Sequence, residues 1–350
     1  MVDWSLARQV ARLAAGSGEP PGPDADFVAM CAELERHVEG YTGLRPSSPA
    51  PEPELVGRRE WAERNLDSLA ELLDPVAERL DRRLESAGPL AGALKAGAAA
   101  TLAAEVGLVM GYVSQRALGQ YDVSLLGGDA PPRLLLVGPN LVKAVGELDV
   151  EAGAFHRWIC AHELTHVFQF QGVPWLREHL SGMVREYLST VEVRVERGAA
   201  GGLSSLPSSA HLVEAFREGG LAALVQTTQQ RALMARMQSA MAVVEGYSEH
   251  AMDAIAAAAI PGHEGLRAAM DARRRSRSAP QRIIERLLGL DIKLRQYEEG
   301  KRFCDAVVAA EGIERLNRVW DAPESLPTPR ELERPEAWLA RVGPAEPAAA

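Results

Sequence analysis

Residues 160–170 read CAHELTHVFQF, and within them His162, Glu163 and His166 spell H-E-x-x-H. Phe155, Ile159, Val167 and Phe168 flank the pentad at helical spacing, so a helix is predicted over about 151–171. Residues four apart on a helix lie one turn from each other on one face. Both imidazoles therefore project the same way and can grip one tetrahedral Zn²⁺ through nitrogens at about 2.0–2.1 Å. Glu163 lies next to the first histidine, just off that axis. It can accept a proton from a water activated by the metal without binding the metal itself.

Two histidines leave such an ion short of a third protein ligand, with the fourth position kept for water. The candidate segment is 241–253, MAVVEGYSEHAMD, where Glu245 and Glu249 are again four apart on a predicted helix. The E-x-x-x-[DE] spacing is that of gluzincin-type sites. There a Glu on a later helix is the third ligand, and an acidic residue four positions on hydrogen-bonds the first histidine. Glu245 is accordingly assigned as ligand and Glu249 as the partner of His162, a contact that fixes the tautomer and raises basicity. His250 is the alternative third ligand, giving three histidines. It stands five positions from Glu245 on another face, so the two cannot both point squarely at one metal. The metzincin pattern is not met, since position 169 is Gln and position 172 is Gly.

Working outward, Tyr121–Leu126 and Arg133–Val137 are short apolar runs separated by GGDAPP, which predicts a hairpin or two strands joined by a turn. Residues 133–137 stand where zinc hydrolases of this type put the sheet edge that binds extended substrate. Helices are expected over 4–15, 26–40, 58–85, 90–118, 175–197, 208–219, 221–257, 263–275 and 280–311. The Ala and Gly of 90–118 would permit close packing against neighbours. Asn140 is read as a possible helix cap, residues 43–56 (GLRPSSPAPEPELV) as an extended loop, and 198–207 as a flexible loop. The Pro-rich chain from about 322 ends in EPAAA and is expected to fray. The fold class expected is mainly α with a small β-sheet. The expected organisation is N-terminal helices and a Pro-rich loop at 1–57, a single catalytic domain at 58–345 and a frayed tail at 346–350.

HELTHVFQFQGVPWLREHL, VVEGYSEHAMD and GLDIKLRQYEEGKRF resemble a mainly actinobacterial family of zincin-like metallopeptidases, whose members are also associated with biosynthesis of the deazaflavin redox coenzyme. The resemblance covers about 60–345. It implies a zincin-like core with added helices, and zinc on His162 and His166 with Glu163 as base. The coenzyme link is an association; no G-x-G-x-x-G loop supports coenzyme binding.

Composition bounds the rest. The 350 residues carry 38 Lys+Arg against 48 Asp+Glu, a net charge of −10, which argues against a broad nucleic-acid or anionic-membrane surface. Cys31, Cys160 and Cys304 form no C-x-x-C pair, which excludes a Cys-rich zinc site and fits a reducing, cytoplasmic compartment. Arg8 and Arg12 interrupt the N-terminal apolar residues, so no signal sequence is expected there. Lys95 and Glu105 mark the apolar stretch 90–113 as a buried helix, not a membrane span.

Weaker site candidates are Tyr247 and Tyr297 as oxyanion donors, Arg295 as a carboxylate clamp, His179 near the mouth and Trp158 as a wall. Packing or surface roles compete for each. His156 is read as helix surface, Cys160 as buried, and the arginine-rich stretch 267–286 as a solvated corner. The function expected is zinc-dependent hydrolysis of a peptide or amide substrate. The rivals are a catalytically silent metal-stabilised binding protein and an amidohydrolase acting on a non-peptide substrate.

Overall fold

The computed structural model describes residues 2–16, 22–84, 91–123, 131–190, 228–275 and 290–343. Side chains are described for all of these except 72, 75–84, 91–95, 98, 190, 228, 273–275 and 290–297. The expected helix at 208–219, the loop at 198–207 and the tail at 346–350 lie outside the described residues. Among the described residues the chain is mainly helical with one three-stranded sheet. It divides into two compact units, one of residues 1–181 and 248–273, the other of 182–247 and 274–350.

The first unit is built around the sheet. Its strands are β1 (Pro53–Val56), β2 (Gly119–Asp122) and β3 (Arg133–Val137), in the order β1-β3-β2. β1 pairs parallel with β3 (Pro53↔Leu134 to Val56↔Val137), and β2 pairs antiparallel with it (Gly119↔Leu136 to Asp122↔Arg133). Leu134 to Val137 are all fully buried, the continuous apolar run expected of a strand covered on both faces. Two expectations are corrected here. Residues 133–137 are the central strand and not an edge; among the described residues the edge beside the H-E-x-x-H helix is β2. The end of the supposed loop 43–56 is a strand, with Pro53 at its first position, where a missing N–H is tolerated on an edge.

Helices cover the sheet. α1 (Trp4–Ala15) packs on α3 (Arg58–Leu84) and α4 (Ala91–Ser114), and Ala7, Ala11, Trp61 and Leu66 join Leu135 and Val137 in one core cluster. The Ala/Gly content of α4 has the expected use: a Cβ at Gly107 would lie 2.5 Å from the Ala7 carbonyl oxygen. Among the described residues no helix is long and apolar enough to cross a membrane. α2 (Phe27–Thr42) packs on α6 (Ala152–Gly172), with buried Cys31 and Cys160 interacting between them.

Asn140 is not a cap. It lies inside α5 (Gly138–Leu148), where its Nδ2 donates to the carbonyls of Ser114 (2.8 Å) and Ala117 (2.6 Å) and its Oδ1 accepts from Arg58 Nε (2.6 Å). This one amide satisfies carbonyls at the end of α4 that the helix cannot. Asn140→Ala removes these bonds, one of them to a buried carbonyl, and is expected to lower stability by about 1–3 kcal/mol in denaturant melts.

The second unit contains the rest of α7 (Leu176–Thr190), the first part of α8 (Thr228–Ala259), which runs unbroken into the first unit, and α10 (Leu290–Glu311). α9 (His263–Arg275) belongs almost wholly to the first unit. After α10 come α11 (Ile313–Asn317), two short 3₁₀ turns, α12 (Pro329–Glu333) and α13 (Pro335–Val342). The chain beyond 322 is therefore ordered through Val342, against expectation. Pro329 and Pro335 open helices instead of breaking them. Trp338 is fully buried edge-on against Phe303, with its Nε1 donating to the Ser325 carbonyl (2.7 Å).

Candidate metal centre

α6 starts where the Glu151 carboxylate caps the N–H groups of Gly153 and Ala154. Those bonds hold its pKa below the usual carboxylate range. Apolar residues on several sides, including Phe155, Trp158, Val167 and Phe168, bury the helix and leave the histidine turn at its centre.

The His162 and His166 rings are perpendicular, with centroids 4.8 Å apart, and their Nε2 atoms converge to 3.2 Å. Two nitrogens bound to one tetrahedral zinc at 2.0–2.1 Å stand about 3.3 Å apart, so the pair already has the required spacing. Among the described residues, His162, His166 and Glu245 form a group that could hold a metal ion, each offering a ligand atom within 4.8 Å of the others. His166 is buried, whereas His162 and Glu245 are half-buried. The donor set of two imidazole nitrogens and one carboxylate suits Zn²⁺.

The tautomer of His166 follows from its neighbours. Gln169 Oε1 lies 2.9 Å from Nδ1 and also accepts from Ser248 Oγ (3.0 Å), which is itself 3.1 Å from Nδ1. A carbonyl oxygen only accepts, so Nδ1 carries the proton and Nε2 presents its lone pair. Gln169 and Ser248 belong to no motif of their own. Gln169 could have been found as a polar residue three positions beyond His166 in an otherwise apolar stretch. Ser248 could have been found one turn from Glu245.

Glu163 is buried at 6 % exposure, and its Oε2 accepts from the backbone N–H of Tyr121 on β2 at 2.9 Å. Tyr121 Oη accepts from Gln171 Nε2 (3.3 Å), and burial raises the phenol's pKa, so it stays protonated at neutral pH.

Glu249 is buried one turn beyond Glu245. His250 turns toward α2, with Nε2 2.6 Å from Tyr41 Oη. Tyr247 is fully buried; its O–H donates to Asn317 Oδ1 (2.7 Å) and its ring meets Trp320 edge-on. Trp158, one turn before His162, lines a cavity of about 430 Å³ together with Asp253, His263, Arg267 and Asp271. His179 packs edge-on against Trp175. His156 is corrected from surface to core: it is 3 % exposed beside Phe27, and burial lowers its pKa. In the 267–286 stretch, Arg267 is paired with Asp253 (2.6 Å) and Asp271 (3.4 Å). The side chains of the other arginines there, and those of Arg295 and Tyr297, lie outside the described residues.

The family profile of zincin-like metallopeptidases matches residues 2–339. A Chloroflexus aurantiacus protein, whose crystal structure is described as that of a candidate hydrolase with a novel fold, is similar at 29 % identity and a TM-score of 0.71. The match covers 97 % of this chain and 98 % of that one. None of the curated proteins matches this chain at a significant level.

Proposed function

The chain belongs to the zincin-like metallopeptidase family, and on that premise we propose that it is a zinc-dependent hydrolase of peptide bonds, with Glu163 as its general base. The observation that carries this reading is that ligand atoms of His162, His166 and Glu245 lie within 4.8 Å of one another, with the Glu163 carboxylate, from the residue next to His162, held by the Tyr121 N–H.

His162, His166 and Glu245 would hold the ion. When bound, zinc supplies a Lewis acid that polarises the scissile carbonyl and acidifies water. The chain's own residues do the rest. Gln169 and Ser248 keep the proton on His166 Nδ1, so that Nε2 is the nitrogen presented to the ion. Glu249, one turn beyond Glu245, is the residue assigned to orient His162. Glu163 takes the proton from the attacking water on a carboxylate oxygen and delivers it to the nitrogen of the leaving amine.

The test is cleavage of an internally quenched peptide library by the zinc-loaded protein, with and without a chelator. Turnover that the chelator removes and zinc restores supports the reading; no turnover by fully zinc-loaded protein overturns it. His166→Ala is expected to lose both metal and activity. It should also lose the zinc-dependent rise in Tm, because metal bound only to the folded state adds stability. Melts with and without added zinc check this.

A further inference from the structure

We propose that β2 is a seat for the catalytic base, with the missing side chain of Gly119 and the backbone N–H of Tyr121 together positioning the Glu163 carboxylate. The inference rests on the reading of Glu163 as base.

A glutamate has three side-chain torsions, and a helix alone does not decide where its carboxylate goes. Here the carboxylate is buried, and a buried charge persists only when it is hydrogen-bonded. Its bond comes from the outer edge of the sheet. β2 pairs with β3 through alternate residues, and the N–H of Tyr121 points away from β3 to donate to Glu163 Oε2 at 2.9 Å. Position 119, two residues earlier on the same edge, leaves the space the side chain occupies. A Cβ there would lie 2.7 Å from Glu163 Cγ, 2.7 Å from Oε1 and 2.9 Å from Cδ. Real Cβ atoms do not approach so closely, so any residue other than glycine displaces the carboxylate.

The seat is itself anchored. Gln120, between the two, pairs its carboxamide reciprocally with that of Asn65 on α3, at 3.1 and 3.0 Å. The sheet edge is thus tied to α3 on one side and to the base on the other. Gly119 and Tyr121 act through Glu163 and are positioning residues. A misplacement of about 1 Å in a reacting group can cost on the order of 10²-fold in rate.

Three measurements test the proposal. Gly119→Ala should keep its zinc and its KM while kcat falls roughly 100-fold. Gly119→Ala should also lower Tm in the wild-type background but not in Glu163→Ala, where the side chain it would strike is gone. Amide hydrogen exchange at Tyr121 should quicken at least about tenfold in Glu163→Ala, because the bond that protects that N–H is lost. A general weakening of the sheet would move Tm equally in both backgrounds and leave the exchange at Tyr121 unchanged. Either of those results overturns the proposal, as does Gly119→Ala with wild-type kcat. The Tm coupling and the exchange rate need no substrate, so they report on the seat even if the library assay shows no hydrolysis.

Discussion

Glu163→Gln is expected to retain zinc and lose hydrolysis, with kcat down by about 10²–10⁴-fold, the usual contribution of a positioned acid–base group. The substitution is close to isosteric. The amide oxygen of Gln can still accept the Tyr121 N–H that now serves Oε2, so the side chain should stay seated and Tm should change little. What the amide cannot do is take up a proton near neutral pH. A loss in kcat with unchanged zinc content would therefore isolate proton transfer from metal binding. Near-normal turnover by this variant would remove Glu163 from the mechanism.

The second large effect lies at a helix crossing. Gly246 on α8 and Gly300 on α10 meet backbone to backbone. A Cβ at Gly300 would overlap the Ala242 carbonyl, and one at Gly246 would lie 2.5 Å from the Gly300 carbonyl oxygen. Ordinarily Gly→Ala within a helix stabilises by about 0.5–1 kcal/mol. Here the partners are main-chain atoms, which cannot rotate aside. Gly300→Ala should cost at least about 3 kcal/mol, the upper range for overpacking, and lower Tm by roughly 4 °C or more. Gly146, exposed on α5 with nothing near its missing Cβ, is the control: Gly146→Ala should leave Tm unchanged or slightly raised. Equal melts for the two variants would refute the close crossing. Gly246 adjoins Glu245, so this crossing also holds the backbone that carries the proposed third ligand.

The parts of the molecule set by local rules could be read from the sequence. H-E-x-x-H in a 3.6-residue apolar pattern gave the helix and its two-histidine face, and α1, α3, α6 and α9 begin and end within a residue or two of their expected bounds. Features that depend on partners distant in sequence could not be read this way. β1 is four residues in a proline-rich run, and its strand partner lies some eighty positions on. The placement of β3 at the sheet centre follows only from that pairing. The helices after 322 were hidden because proline reads as a breaker, although at a first helical turn it costs nothing. Tyr247 and His250 lie near Glu245 in sequence, but each residue turns the helix by about 100°, and what each faces depends on distant partners. Tyr247 faces Asn317 and His250 faces Tyr41. The groups that tune the site, namely Gln169, Ser248 and the Tyr121 N–H, are ordinary residues given their role by tertiary contact.

The assignment of the third ligand is the central claim, and elemental analysis tests it most directly. Wild type, Glu245→Ala and His250→Ala are stripped with a chelator, reloaded with zinc, dialysed and measured. The expected result is about one equivalent of zinc in wild type and His250→Ala, and below roughly a tenth of that in Glu245→Ala, since affinity depends on the full ligand set. Full zinc in Glu245→Ala together with loss in His250→Ala would contradict the site described for His162, His166 and Glu245.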